Sequence, residues 1–65
     1  MKISARGSDC FEILLSKEDL GTVGNCLNEV CNGIEVFEFQ TRIGVSREQV
    51  SKLLDTIVKA YRGEE

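Results

Sequence analysis

Val36-Phe-Glu-Phe-Gln-Thr-Arg-Ile-Gly-Val-Ser-Arg-Glu-Gln-Val-Ser-Lys-Leu-Leu-Asp55 carries most of this chain's architecture. It reads as a short helix, a turn at Gly44 and a longer helix. Ser46 and Gln49 stand three apart, as the two members of a capping box do, and Val45 and Val50 flank them as a hydrophobic staple. From Val50 the apolar residues Leu53, Leu54, Ile57, Val58 and Tyr61 recur every three or four positions, one face of a helix that Gly63 closes. Phe39, Ile43, Val45, Val50 and Leu53 occupy the positions at which two crossed helices touch. The spacing therefore predicts a helix-turn-helix-like unit with these five residues in its seam. Residues 35–42 admit two readings. Val36, Phe39 and Ile43 share a helical face, whereas Phe37 and Phe39 alternate with Glu38 as in a strand; the glycine and the cap that follow favour the helix. On the outer face of the last helix, Glu48 with Lys52 and Asp55 with Lys59 form acid-before-base pairs at i,i+4. Glu64 and Glu65 are expected to fray.

Upstream, Ser16 is placed to cap the amide of Asp19, and Glu18 and Asp19 suit the positive start of a helix. Leu15 and Leu20 form a second staple pair. Leu20, Val23, Leu27, Val30 and Cys31 make the inward stripe, and Asn32-Gly33 ends the helix, with glycine left-handed and Ile34 folded back over the last turn. Gly21 and Gly24 each lower helix propensity by about 1 kcal/mol against alanine. They either admit a close neighbour or are merely tolerated, and the second is the simpler expectation.

Before that helix, residues 2–6 and 10–15 alternate apolar with polar, and Gly7-Ser8-Asp9 joins them as a hairpin. Two strands alone are marginal in water, so the hairpin is expected to lie against the helices, with Leu14 pointing away from the core as a candidate contact residue. The expectation is one α+β domain over residues 1–65, in the order β-β-α-α-α.

At 65 residues the chain is near the lower limit for a self-sufficient core. It contains no His, which excludes a histidine general base and His-ligated metal, and it has little room for a substrate pocket. An enzyme is the reading these residues support least. Cys10, Cys26 and Cys31 are an odd set without a CxxC pair and lack an evident fourth zinc ligand; they are expected to be buried small apolar residues in a reducing compartment. No cofactor is implied. Without an apolar leader or a run long enough to span a membrane, the protein is expected to be cytoplasmic.

The net charge of −3 is unevenly spread. Residues 40–62 carry five basic side chains against two acidic, and residues 1–39 carry three basic against seven acidic. The basic half suggests a DNA-reading helix, with Arg47, Gln49 and Lys52 toward the groove and Arg42 on a phosphate. Its excess of +3 is small for that task, and Glu48 sits inside the reading surface. The acidic half suggests a basic protein partner met by Glu18, Glu29, Glu35 and Glu38, clustered near one end of the first helix. Solvated surface is the plain alternative for any one of these carboxylates.

Asn28-Glu29 with Gly33, followed by Phe39, Thr41-Arg42, Gly44 and Ser46-Arg47-Glu48, resembles a group of small bacterial proteins of unknown function. They share an Asn-Glu-x-x-x-Gly helix and a Phe-x-Thr-Arg-x-Gly-x-Ser-Arg-Glu turn and helix. Some of them resemble immunity proteins encoded beside polymorphic toxins. The similarity covers roughly the last two-thirds of the chain and leaves the hairpin out. It implies a non-enzymatic bacterial protein, with Asn28, Glu29, Asn32, Thr41 and Arg42 as positions of interest. The expected function is a protein-binding module of immunity or antitoxin type that occludes a toxin domain, and a partner or a homodimer is expected to complete the small core. A dimeric helix-turn-helix DNA regulator is the alternative, and a structural subunit of a larger assembly the third reading.

Overall fold

Two short strands and then three helices follow one another in the computed structural model, which describes residues 1–63. Strands β1 (Lys2–Ala5) and β2 (Phe11–Leu14) form an antiparallel hairpin; helices α1 (Lys17–Asn28), α2 (Phe39–Ile43) and α3 (Arg47–Arg62) complete an α+β arrangement in the order β-β-α-α-α. The fraying expected of Glu64 and Glu65 lies outside the described residues.

The hairpin connection is longer than expected. The Arg6 amide donates to the Cys10 carbonyl at 2.7 Å, and Gly7 adopts φ 110°, a conformation that glycine reaches without a Cβ clash. Pairing Lys2 with Leu14, Ile3 with Ile13, Ser4 with Glu12 and Ala5 with Phe11 places Ile3, Ala5, Phe11 and Ile13 on one face. Lys2, Ser4, Glu12 and Leu14 lie on the other, where Arg6 forms an ion pair with Glu12. The apolar face does not rest on the helices, contrary to expectation: Ile3, Phe11 and Ile13 are 56%, 61% and 57% exposed. The reason lies in α1, whose apolar stripe is already covered by α3.

Helix α1 begins as its sequence predicts, with the Asp19 amide donating to Ser16 Oγ at 3.0 Å. Leu20, Val23, Leu27 and Val30 are half-buried and Cys31 is buried. The helix does not end at a left-handed glycine, since Gly33 is absent from the residues with positive φ. It widens instead into a π-turn over Glu29–Gly33, closed by the Ile34 amide donating to the Glu29 carbonyl at 2.9 Å. Ile34 is exposed and does not fold back. The volume that a Cβ at Gly33 would take is occupied by the Glu29 carboxylate.

The core is the contact of α1 with α3. Cys31, Val50 and Leu54 are buried in it, and Ile57 and Val58 are half-buried. Gly21 and Gly24 are part of this contact: a Cβ on Gly21 would lie 3.0 Å from Tyr61 Cε2, and one on Gly24 3.5 Å from Ile57 Cγ2. Gly21 thus seats the Tyr61 ring against the α1 backbone, so close approach replaces tolerated looseness there, whereas Gly24 leaves room for an ordinary Cβ contact and the simpler expectation stands for it. The seam expected between α2 and α3 is mostly open. Val50 is buried and Phe39 half-buried, but Ile43, Val45 and Leu53 are 41%, 38% and 54% exposed. With five residues, α2 is little more than one turn and cannot lay a stripe along α3.

The α3 capping box is complete: the Gln49 amide donates to Ser46 Oγ at 3.2 Å, and the Ser46 amide donates to Gln49 Oε1 at 3.1 Å. Gly63 ends the helix at φ 78°. Among the described residues the ion pair is Arg6 with Glu12, so the Glu48–Lys52 and Asp55–Lys59 pairs expected on α3 are not formed. Of the cysteines only Cys31 is buried; Cys10 and Cys26 are exposed, which corrects the expectation for those two. Among the described residues no helix is long and apolar enough to cross a membrane.

The outline is open. The radius of gyration is 13.0 Å, against about 10.7 Å for a compact chain of this length. The accessible surface is 5479 Å², whereas a compact monomer of 7.2 kDa exposes about 4,100 Å².

Candidate functional site

Between the π-turn and α2 runs the connection 34–38, and its conformation is set from both ends. At its start Ile34 is extended, at φ −124° and ψ 156°, once its amide has closed the turn onto Glu29. At its end Glu38 stands in the left-handed region, at φ 52° and ψ 55°, without being glycine. That conformation costs about 1–2 kcal/mol for an L-residue and persists only where the surroundings impose it. What imposes it is visible on either side. Val36 and Phe39 are half-buried, and the Arg42 amide donates to the Glu38 carbonyl at 3.1 Å to open α2. Phe37, between half-buried Val36 and exposed Glu38, points outward and is 77% exposed.

The carboxylates of Glu29, Glu35 and Glu38 are exposed in the same segment, past the end of α1. The last turn of α1 carries no basic residue, so its partial negative end adds to their charge. The result is an outward phenyl ring in an acidic stretch of backbone whose path is over-determined. Glu18 does not belong to it. It sits in the first turn of α1, roughly 16 Å along the axis from Glu29 by the helical rise. Leu14 is exposed on the charged face of the hairpin, also elsewhere. Of the five residues expected to meet a protein partner, three lie in the stretch from the π-turn to the start of α2 and two lie apart. The expected cluster near one end of α1 is corrected for Glu18 because a helix of twelve residues separates its own ends.

Two of the four residues expected to read DNA are engaged inside the fold. Arg47 Nη1 donates to the carbonyls of Val30 and Cys31, and the guanidinium carbon lies 4.6 Å from the centre of the Phe39 ring. Gln49 closes the capping box. Arg42 and Lys52 are exposed. Among the positions singled out by resemblance, Asn32 Nδ2 donates to Asn28 Oδ1 at 3.1 Å, a clasp across the π-turn, and Thr41 is exposed on α2.

An open groove of about 260 Å³ lies between α1 and the end of α3, lined by Leu20, Gly21, Gly24 and Tyr61 among others. Lys17 Nζ stands 5.3 Å from the centre of the Tyr61 ring. The groove is smaller than the roughly 300–1,000 Å³ of sites that enclose a small ligand.

Sequence reasoning missed Phe37 and Ile34 as surface residues. The signal for Phe37 was present: it falls off the stripe of Val36, Phe39 and Ile43 and had no inward role to fill. Ile34 carried no such signal, because its outward direction follows from the π-turn. Compared with protein-family models, curated proteins and solved structures, the chain matches none of them.

Proposed function

We propose that this chain is a non-enzymatic protein-binding module of immunity or antitoxin type, with the connection 34–38 as its recognition element. The observation that carries the reading is Phe37, 77% exposed and held outward between Glu35 and a strained Glu38. An exposed aromatic side chain on a backbone shaped in this way fills a pocket as an interface anchor. Glu29, Glu35 and Glu38 then face a basic rim and speed encounter with it. Blocking is the whole mechanism: a basic substrate-binding surface on a toxin domain is covered, and no bond is made or broken. The resemblance to small bacterial proteins points to the same class of partner.

The test begins with the gene neighbourhood, where a toxin-domain gene is expected immediately upstream. Its product, co-expressed with this chain, should co-purify in a fixed ratio. Phe37→Ala should weaken the complex by about 30- to 150-fold, the equivalent of about 2–3 kcal/mol for a buried ring. Glu35→Lys should slow association and flatten its dependence on salt. A neighbourhood without toxin or secretion genes, or a complex indifferent to both substitutions, overturns the reading. Retention on heparin that falls with Arg42→Ala and Lys52→Ala would favour DNA recognition in its place.

A further inference from the structure

Apart from Ile34 and Phe37 in the stretch after the π-turn, and Met1, Leu14 and Tyr61, the large exposed apolar side chains fall in two patches. One is the hairpin face of Ile3, Ala5, Phe11 and Ile13, with the three large side chains more than half exposed. The other is the helical shoulder formed by Ile43 and Val45 before α3 and Leu53 on its second turn. The first is a sheet face without a helix, the second a helix face without a sheet. Each is the surface that the other needs for a two-layer α/β core. Neither belongs to the connection 34–38, and neither depends on the function proposed above.

We propose that two copies of this chain form a two-fold dimer in which the hairpin of each lies on the Ile43–Val45–Leu53 shoulder of the other. Two features select a second copy as the occupant. The first is area. The exposed surface exceeds that of a compact monomer by about 1,350 Å², and a stable interface takes about 800 Å² from each partner. The surplus of one chain is therefore enough to build its side of a dimer.

The second is self-complementarity. A two-fold operator makes the same contact twice, hairpin on shoulder and shoulder on hairpin, and so covers both patches of both copies at once. A partner of different sequence would have to supply two unlike surfaces to do the same. The same contact covers a hairpin that, as two free strands, is marginal in water.

The wild-type chain tests this directly by sedimentation equilibrium and by isotope-filtered NMR on a mixture of labelled and unlabelled copies. The expected results are a mass twice the 7.2 kDa of one chain and intermolecular NOEs between the methyl groups of Ile13 and Leu53. Phe11→Lys and Leu53→Glu should each raise the dimer dissociation constant by about 100-fold or more, since each forces a charge into an apolar contact made twice. Mixed in equal amounts, the two variants should associate again, because one contact is then wild type and the other pairs Lys with Glu. A wild-type mass of one chain overturns the proposal. So does a dimer without Ile13–Leu53 NOEs, or one that tolerates both substitutions. None of these results bears on whether Phe37 anchors another protein.

Discussion

Replacing Arg47 with alanine removes the tie between the two main helices. Its guanidinium donates to the carbonyls of Val30 and Cys31, where the π-turn ends α1, and stacks on Phe39 at the start of α2. A hydrogen bond from a charged donor contributes about 1.5–3 kcal/mol when well enclosed. Arg47 is exposed overall and its contact with Val30 is long, at 3.4 Å, so about 1 kcal/mol is assigned to the pair of bonds after solvent screening. The stacked ring adds about 0.5–1 kcal/mol. Arg47→Ala should therefore destabilise the fold by about 2 kcal/mol.

For a domain of this length, total stability is about 3–10 kcal/mol, so the loss is a large share of it. It corresponds to a fall in melting temperature of about 8–16 °C. Urea denaturation followed by far-UV circular dichroism, at one fixed protein concentration, measures the change. Arg47→Lys should recover only a small part, because an ammonium lacks both the planar fork and the stacking face. A loss under about 0.5 kcal/mol for Arg47→Ala, or full recovery by lysine, would refute the assignment. Unchanged stability with lost heparin retention would instead return Arg47 to a nucleic-acid surface.

Three further tests follow, two of them paired substitutions. Gly24→Ala should stabilise the chain by nearly the full helix-propensity gain of about 1 kcal/mol, because its Cβ meets Ile57 at an ordinary 3.5 Å. Gly21→Ala should gain clearly less in the same urea titration, since Tyr61 must yield at 3.0 Å. Glu38→Gly should raise stability by about 0.5–1 kcal/mol as the left-handed strain is released against the entropy of glycine; a destabilised variant would show that the Glu38 side chain contributes to the fold. Leu54→Ala should cost about 2–5 kcal/mol whatever the protein concentration. Leu53→Ala should show a loss that grows as concentration rises through the range of dimer formation, and a loss independent of concentration would argue against its place in an interface between copies.

Much of the architecture was legible because it is governed by local chemistry. Ser16 and Ser46 cap their helices through atoms three residues away, so the spacing alone locates both starts. The hairpin follows from period-two alternation, and the α1 stripe from period 3.6. The exit from α1 was not legible. Asn32-Gly33 is a common helix stop, but the chain takes a π-turn there, which holds Gly33 out of the left-handed region and sends Ile34 into solvent. The roles of Arg47 and Gln49 were misread for a related reason. A basic and an amide residue at the start of a second helix suit DNA bases, and nothing local reveals that the Cys31 carbonyl waits sixteen residues away in sequence. The candidate site was half legible: Glu29, Glu35 and Glu38 were identified, while the outward ring beside them was not.

By itself, then, the order of residues determined the elements, their caps and which face of each is greasy, because those properties depend on neighbours within about four positions. Which greasy faces meet was decided by the tertiary structure. Gly21 lets Tyr61 of α3 settle directly on α1, and the α1–α3 contact takes up the apolar stripe of α1. The hairpin and the Ile43–Leu53 shoulder are therefore left facing water. A contact between distant segments excludes its competitors by occupying the space, and no periodicity along the chain records which competitor won.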